Sequence, residues 1–112
     1  MSDREARRGE NESWFRAVNE RLEGRAIDEG GANGEEFAIL CECAREDCTQ
    51  RLSVSVDEYE QVRANPRRFI VVRGHNFQAF ERVLCSHKSY EIVEKFGEAG
   101  LVAQLDDPRR GT

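Results

Sequence analysis

Three cysteines fall within eight positions, Cys41, Cys43 and Cys48, in the stretch FAILCECAREDCTQRLSVS over residues 37–55. Thiolates are soft ligands, and a tetrahedral set of them at about 2.3 Å favours zinc. Residues i and i+2 of a strand point to one side, so Cys41 and Cys43 can reach a single ion, with Glu42 turned away from them. The four residues between Cys43 and Cys48 are enough for a knuckle that folds back. Cys41, following Ile39-Leu40, would also suit an apolar core. Cys43 and Cys48 stand among Glu42, Arg45, Glu46 and Asp47, which is not a core setting.

A closed site needs a fourth donor, and three residues offer one: His75, Cys85 and His87. His75 is favoured because Gly74 lets the backbone turn tightly at the end of FIVVRGH, presenting the imidazole from a strand end. Cys85 lies in the apolar run ERVLC and reads equally as a small buried hydrophobe, while His87 follows Ser86 in a polar setting. Three thiolates and one imidazole fill a tetrahedral shell and leave no position for a reactive water. H-E-x-x-H is absent, as are H-x-E with P-C-x-x-C and a phosphate loop, because GGANG is not followed by Lys-Ser/Thr. The expectation is a structural zinc in a protein that is not an enzyme. The same thiolates could instead form a redox sensor that ejects its metal on oxidation. Arg45 and Arg51 would then raise thiolate availability, although charge balance in a static site explains them as well.

The elements that must position these groups follow from pattern. Residues 1–9 are small and charged and are expected to be disordered. Asn11 or Ser13 caps an amphipathic helical arm over 10–28, with a stripe of Trp14, Phe15, Val18 and Leu22. The Gly-rich run 29–34 reads as a linker. The domain over 35–105 then holds a strand EFAILCEC, a strand TQRLSVSV and a short helix DEYEQVRAN capped by Asp57 and stopped by Pro66. A strand from Phe69 to Val72 follows, and then one or two further strands, or a strand and a short helix, in ERVLCSHKSYEIVEKF. Residues 106–112 read as a tail. The fold class expected is α+β: the arm, a small and mainly antiparallel zinc-clipped sheet, and one short helix.

Composition bounds the function. With 112 residues, 38% hydrophobic and 35% charged, the chain has one domain with a modest core, for which a metal clip is a common reinforcement. A net charge of −5 argues against general charge-driven binding to nucleic acid or to an anionic membrane. No apolar run approaches the roughly 20 residues of a spanning helix. MSDREARRGE has no apolar stretch of the kind a secretory signal needs, so the expected location is the cytoplasm, where thiols stay reduced. A basic belt of Arg63, Arg67, Arg68, Arg73, Arg82 and Lys88 is interleaved with Tyr59, Phe69, Phe77 and Phe80. It could meet phosphates, but cations past a helix C-terminus on a solvated face explain it more simply.

The order FAILCECAREDC, VDEYEQVRANPRRF, VVRGH, ERV and YEIVEK, preceded by the aromatic-rich arm ESWFRAVNERL, resembles a group of small bacterial zinc-ribbon-like proteins with no established activity. The likeness spans roughly residues 10 to 108. It implies a zinc-binding module with Cys41, Cys43, Cys48 and His75 as ligands, and it makes Cys85 a departure at an aliphatic position. The function expected is a zinc-binding adaptor or regulatory protein acting through protein contacts, a partner or a second copy meeting Trp14, Phe15, Val18 and Leu22. The alternatives are a nucleic-acid-binding regulator using Arg63, Arg67, Arg68 and Arg73, and the redox sensor.

Overall fold

A computed structural model describes residues 3–30, 36–43, 45 and 48–109, with side chains from Glu12 onward. The elements are α1 (Asp3–Asp28), β1 (Glu36–Leu40), β2 (Arg51–Ser55), α2 (Val56–Arg63), β3 (Arg68–Val72), β4 (Glu81–Ser86), β5 (Tyr90–Lys95) and α3 (Gly97–Leu105). They make an α+β fold with two antiparallel sheets, β1-β2 and β3-β5-β4.

β1 and β2 pair in register, Ile39 opposite Leu52 and Phe37 opposite Val54, which places apolar side chains against one another across the ladder. The chain passes directly from β2 into α2. Its cap is Ser55, not the expected Asp57: the Ser55 hydroxyl accepts the Glu58 N–H at 3.1 Å, and the Glu58 carboxylate accepts the Ser55 N–H at 3.0 Å. This reciprocal pair satisfies two otherwise orphaned donors. Tyr59 and Val62, one turn apart, are buried together.

β3 is buried on both faces. Ile70 joins Ile39, Leu52, Val54, Tyr59, Val62 and Tyr90 in one core, while Phe69 and Val71 join Val93, Ala103 and the three cysteines of the knuckle in a second. The period of two along a strand assigns neighbouring residues to opposite cores. Residues 81–96 resolve into the β4-β5 hairpin. A second short helix, α3, follows where only one had been expected. No side chain caps α3 and its sequence GEAGLVAQL carries two glycines, so its local signal is weak. Packing sustains it instead: Ala103 is buried, and a Cβ on Gly100 would stand 2.7 Å from the Lys95 carbonyl oxygen.

The N-terminal helix differs most from expectation. It begins at Asp3, so residues 3–9 are helical and not disordered; Glu5, Ala6, Arg7 and Arg8 are strong helix formers, and one glycine at position 9 costs only about 1 kcal/mol. Its inward face is polar. Glu12, Arg16, Asn19 and Glu23 are buried, whereas Trp14 is 61% exposed and Phe15, Val18 and Leu22 are half-buried. The spacing 12, 16, 19, 23 is a helical stripe in its own right. The expected linker lies largely outside the described residues, with Glu29 and Gly30 turning off the end of α1.

Each buried charge on α1 finds an opposite one, as burial demands. Arg16 Nη2 stands 2.6 Å from Asp107 Oδ2, Arg16 Nη1 donates to the Pro66 carbonyl at 2.8 Å, and the guanidinium lies 4.2 Å over the Phe69 ring. Asp107 also takes Arg63 through both oxygens, at 2.5 and 3.3 Å. Arg63 and Arg109 converge on Glu20, each at 2.7 Å, and Arg109 continues to Glu23 and Glu60. At the other end of the helix, Lys95 Nζ sits 2.7 Å from both Glu12 and Glu81. Within the expected tail, Asp107 and Arg109 therefore join this ion network, while Asp106 and Pro108 are exposed and 110–112 lie outside the described residues; the sequence DDPRR looks solvated until Arg16 and Arg63 are seen to be buried opposite Asp107.

Candidate metal centre

β1 ends at Leu40, so Cys41 and Cys43 stand in the turn that leaves it and not on the strand itself. They still converge. The donor atoms of Cys41, Cys43, Cys48 and His75 all lie within 4.8 Å of one another. His75 Nδ1 is 3.7 Å from the sulfurs of both Cys41 and Cys48. Four donors set tetrahedrally around one ion at about 2.0–2.3 Å stand roughly 3.5–3.8 Å apart, so the spacing of this group fits a metal ion. The three cysteines are buried, and none is in a disulfide.

Three of the four donors are placed by separate devices. The Cys41 N–H donates to the Gln50 carbonyl at 2.9 Å, prolonging the β1-β2 ladder by one step, and its sulfur accepts the Val72 N–H at 3.1 Å. The Cys48 N–H closes the loop onto the Arg45 carbonyl at 3.1 Å. His75 comes from a tight turn in which its N–H donates to the Val72 carbonyl at 2.9 Å and Gly74 takes φ +90°. A Cβ is disfavoured at that φ, which is why glycine precedes the histidine. Glu91 on β5 fixes this turn, accepting the Gly74 N–H at 3.0 Å and the Asn76 side-chain amide at 2.9 Å.

The electrostatics suit a cation. The Cys41 S–H bond to Cys43 draws the Cys43 thiol down to about 5, assisted by the backbone N–H of Arg45. As the donor in that bond Cys41 is pushed up, and burial pushes Cys48 up. Of the three sulfurs, Cys43 is thus the one biased toward the thiolate that a metal binds. A soft metal would take the place of the remaining protons.

The other sequence candidates lie elsewhere. Cys85 is exposed on β4 with its sulfur 3.4 Å from His87 Nε2, and the His87 ring stacks on Tyr90 at 4.4 Å. Of the basic belt, Arg63 is fully buried in its ion pairs, Arg68 and Arg82 share Glu94, and Arg67 donates to Gln104, while Arg73 and Lys88 are exposed.

Two residues at the centre had no functional signal in the sequence. Glu42 does turn away from the sulfurs, but into the protein, where it is fully buried and burial pushes its carboxyl pKa up. Asn19 of α1 meets it there. The only hint was Asn19 standing in helical register with Glu12, Arg16 and Glu23.

No family model matches the chain, and no match was found among the curated proteins or the solved structures. Among the described residues, no helix is long and apolar enough to cross a membrane.

Proposed function

We propose that this protein is a zinc-binding adaptor or regulatory module, with the zinc structural and the activity exerted through protein contacts. The observation that carries the reading is the convergence of three buried sulfurs and one imidazole nitrogen within 4.8 Å. Thiolate-rich tetrahedral donor sets favour zinc over the harder divalent cations, and four protein donors close the shell. Such an ion would tie the loop after β1 to the turn after β3, linking the two sheets. A reducing cytoplasm would keep the three thiols available to it. The motif order shared with small bacterial zinc-ribbon-like proteins points the same way. The contact surface we assign is the outer flank of α1, where Trp14 is 61% exposed beside the half-buried Phe15, Val18 and Leu22.

Metal content and thiol titration test the site together. The expected result is one zinc per chain and a single reactive thiol, Cys85, in the native protein, rising to four thiols after denaturation in chelator. Protein that neither retains nor rebinds zinc overturns the reading. For the surface, Trp14→Ser should leave zinc content and melting unchanged while abolishing self-association or partner binding measured by sedimentation. Unchanged association would move the contact elsewhere.

A further inference from the structure

The residue between the two closest cysteines faces away from the sulfurs and is held as firmly as they are. The Glu42 N–H donates to the Ile70 carbonyl at 2.9 Å, and Glu42 Oε1 accepts the Ile70 N–H at 3.0 Å. Glu42 therefore pairs with Ile70 through both of that residue's backbone groups, on the edge of β3 that β5 does not use. Its other oxygen, Oε2, accepts from Asn19 Nδ2 at 2.8 Å. Asn19 is fully buried, and its amide also grips the strand leading into the knuckle: Oδ1 accepts the Leu40 N–H at 2.8 Å, and Nδ2 donates to the Leu40 carbonyl at 3.0 Å. One amide on α1 thus does the work of a neighbouring strand for Leu40 and holds the carboxylate of Glu42. The segment 40–42, which ends against Cys43, is clamped between helix α1 and strand β3.

We propose that Asn19 and Glu42 are positioning residues for the metal centre, forming a latch through which α1 sets the placement of Cys41 and Cys43 and metal binding in turn holds α1 on the domain. This rests on the metal-binding reading above and adds a coupling to it. Neither residue has an atom to spare for the ion, because both Glu42 oxygens and both ends of the Asn19 amide are engaged on the far side of the knuckle. A buried carboxylate that loses a donor keeps its desolvation cost without the compensating bond. The arrangement of segment 40–42 and the docking of α1 are therefore favoured together or lost together. Coupling of this kind is reciprocal: if docked α1 tightens metal binding by some factor, bound metal stabilises docked α1 by the same factor. It also links the metal to the surface assigned above, since Trp14 rides on the same helix.

The test uses the full chain and zinc itself. Zinc affinity is measured by competition with a chromophoric chelator for the wild type, Asn19→Ala, Glu42→Gln and Arg82→Ala, and amide exchange of α1 is followed with and without zinc. Asn19→Ala and Glu42→Gln should weaken zinc about 10- to 100-fold, the usual effect of losing an outer-shell partner. Arg82→Ala removes an exposed ion pair to Glu94 within the β4-β5 hairpin, touching neither α1 nor the knuckle, and should stay within about twofold of the wild type. Zinc should slow exchange in α1 of the wild type more than in the β4-β5 hairpin, and that excess should disappear in Asn19→Ala. Should Asn19→Ala fail to fold, Glu42→Gln, which keeps the side-chain volume, decides alone. Wild-type affinity in the folded latch variants, or equal protection of α1 and the hairpin by zinc, overturns the latch and leaves the metal centre standing. Failure of the wild type to bind zinc overturns both.

Discussion

The knuckle around Cys41, Cys43, Cys48 and His75 and the ion network around Arg16, Arg63 and Asp107 are both polar clusters buried in a small protein, and they are completed differently. In the network every charge has its opposite within the chain: Arg16 and Arg63 share Asp107, and Arg63 and Arg109 share Glu20. In the knuckle the donors of three cysteines and one histidine face one another within 4.8 Å. Four electron-pair donors so placed could hold a cation, which the chain does not itself supply. A buried polar cluster can therefore be stabilising in itself or conditional on a ligand, and the sign of the groups at its centre tells which.

Removing the metal should separate the two regions most sharply. Chelation, or Cys43→Ser, is expected to cost on the order of 3–5 kcal/mol of stability and to release the protection of the Cys41, Glu42 and Cys48 amides. The β4-β5 hairpin and the Arg63–Asp107 pairing should persist. Thermal melting with and without chelator, followed by amide exchange, measures this; an unchanged midpoint would mean that the knuckle is as self-sufficient as the network.

The network should respond to the opposite treatment. Asp107→Ala leaves the Arg16 and Arg63 guanidiniums buried without their shared carboxylate and should cost about 3–5 kcal/mol by urea unfolding, with or without zinc. A loss under about 1 kcal/mol would show that residues 106–109 contribute no more than an exposed tail.

A smaller and pH-dependent effect distinguishes the rim of the network from its centre. Burial, with Glu60 and Glu20 close by, pushes Glu23 up to about 7. A carboxyl whose folded pKa is raised favours the native state while protonated. Its contribution is fully present below the unfolded value and is lost as pH rises through about 7. Stability should therefore fall by roughly 1–2 kcal/mol between pH 5 and pH 8, and Glu23→Gln should flatten that slope. Urea midpoints at the two pH values read it directly. A slope that persists in Glu23→Gln would place the titration on another group.

The two regions also differ in how much of them could be read along the chain. The grouping of the cysteines was legible because thiols are rare and the spacing of Cys41, Cys43 and Cys48 is short, so local geometry alone brings them together. His75 was favoured through Gly74, whose positive φ is the kind of backbone requirement a sequence does reveal. The strands around Leu52-Val54 and Phe69-Val72 followed from periodicity. Helix α3 did not, because a helix with two glycines and no cap depends on what it packs against.

The face of α1 shows where pattern misleads. Trp14, Phe15, Val18 and Leu22 mark an apolar stripe, and an apolar stripe ordinarily turns inward. Here Glu12, Arg16, Asn19 and Glu23 turn inward instead, because Lys95, Asp107 and the Leu40–Glu42 segment wait for them in the fold. Whether a buried charge is tolerable depends on its partner. Those partners lie 83 residues from Glu12, 91 from Arg16 and 21 to 23 from Asn19, too far along the chain for any local rule to pair them. The amino-acid sequence by itself determined the Cys/His group and most of the strands, since these depend on short spacings and backbone preferences. Only the tertiary structure decided which way α1 faces, that Asp107 and Arg109 join the ion network, and that Asn19 and Glu42 stand behind the cysteines, because each of these requires two distant segments to meet.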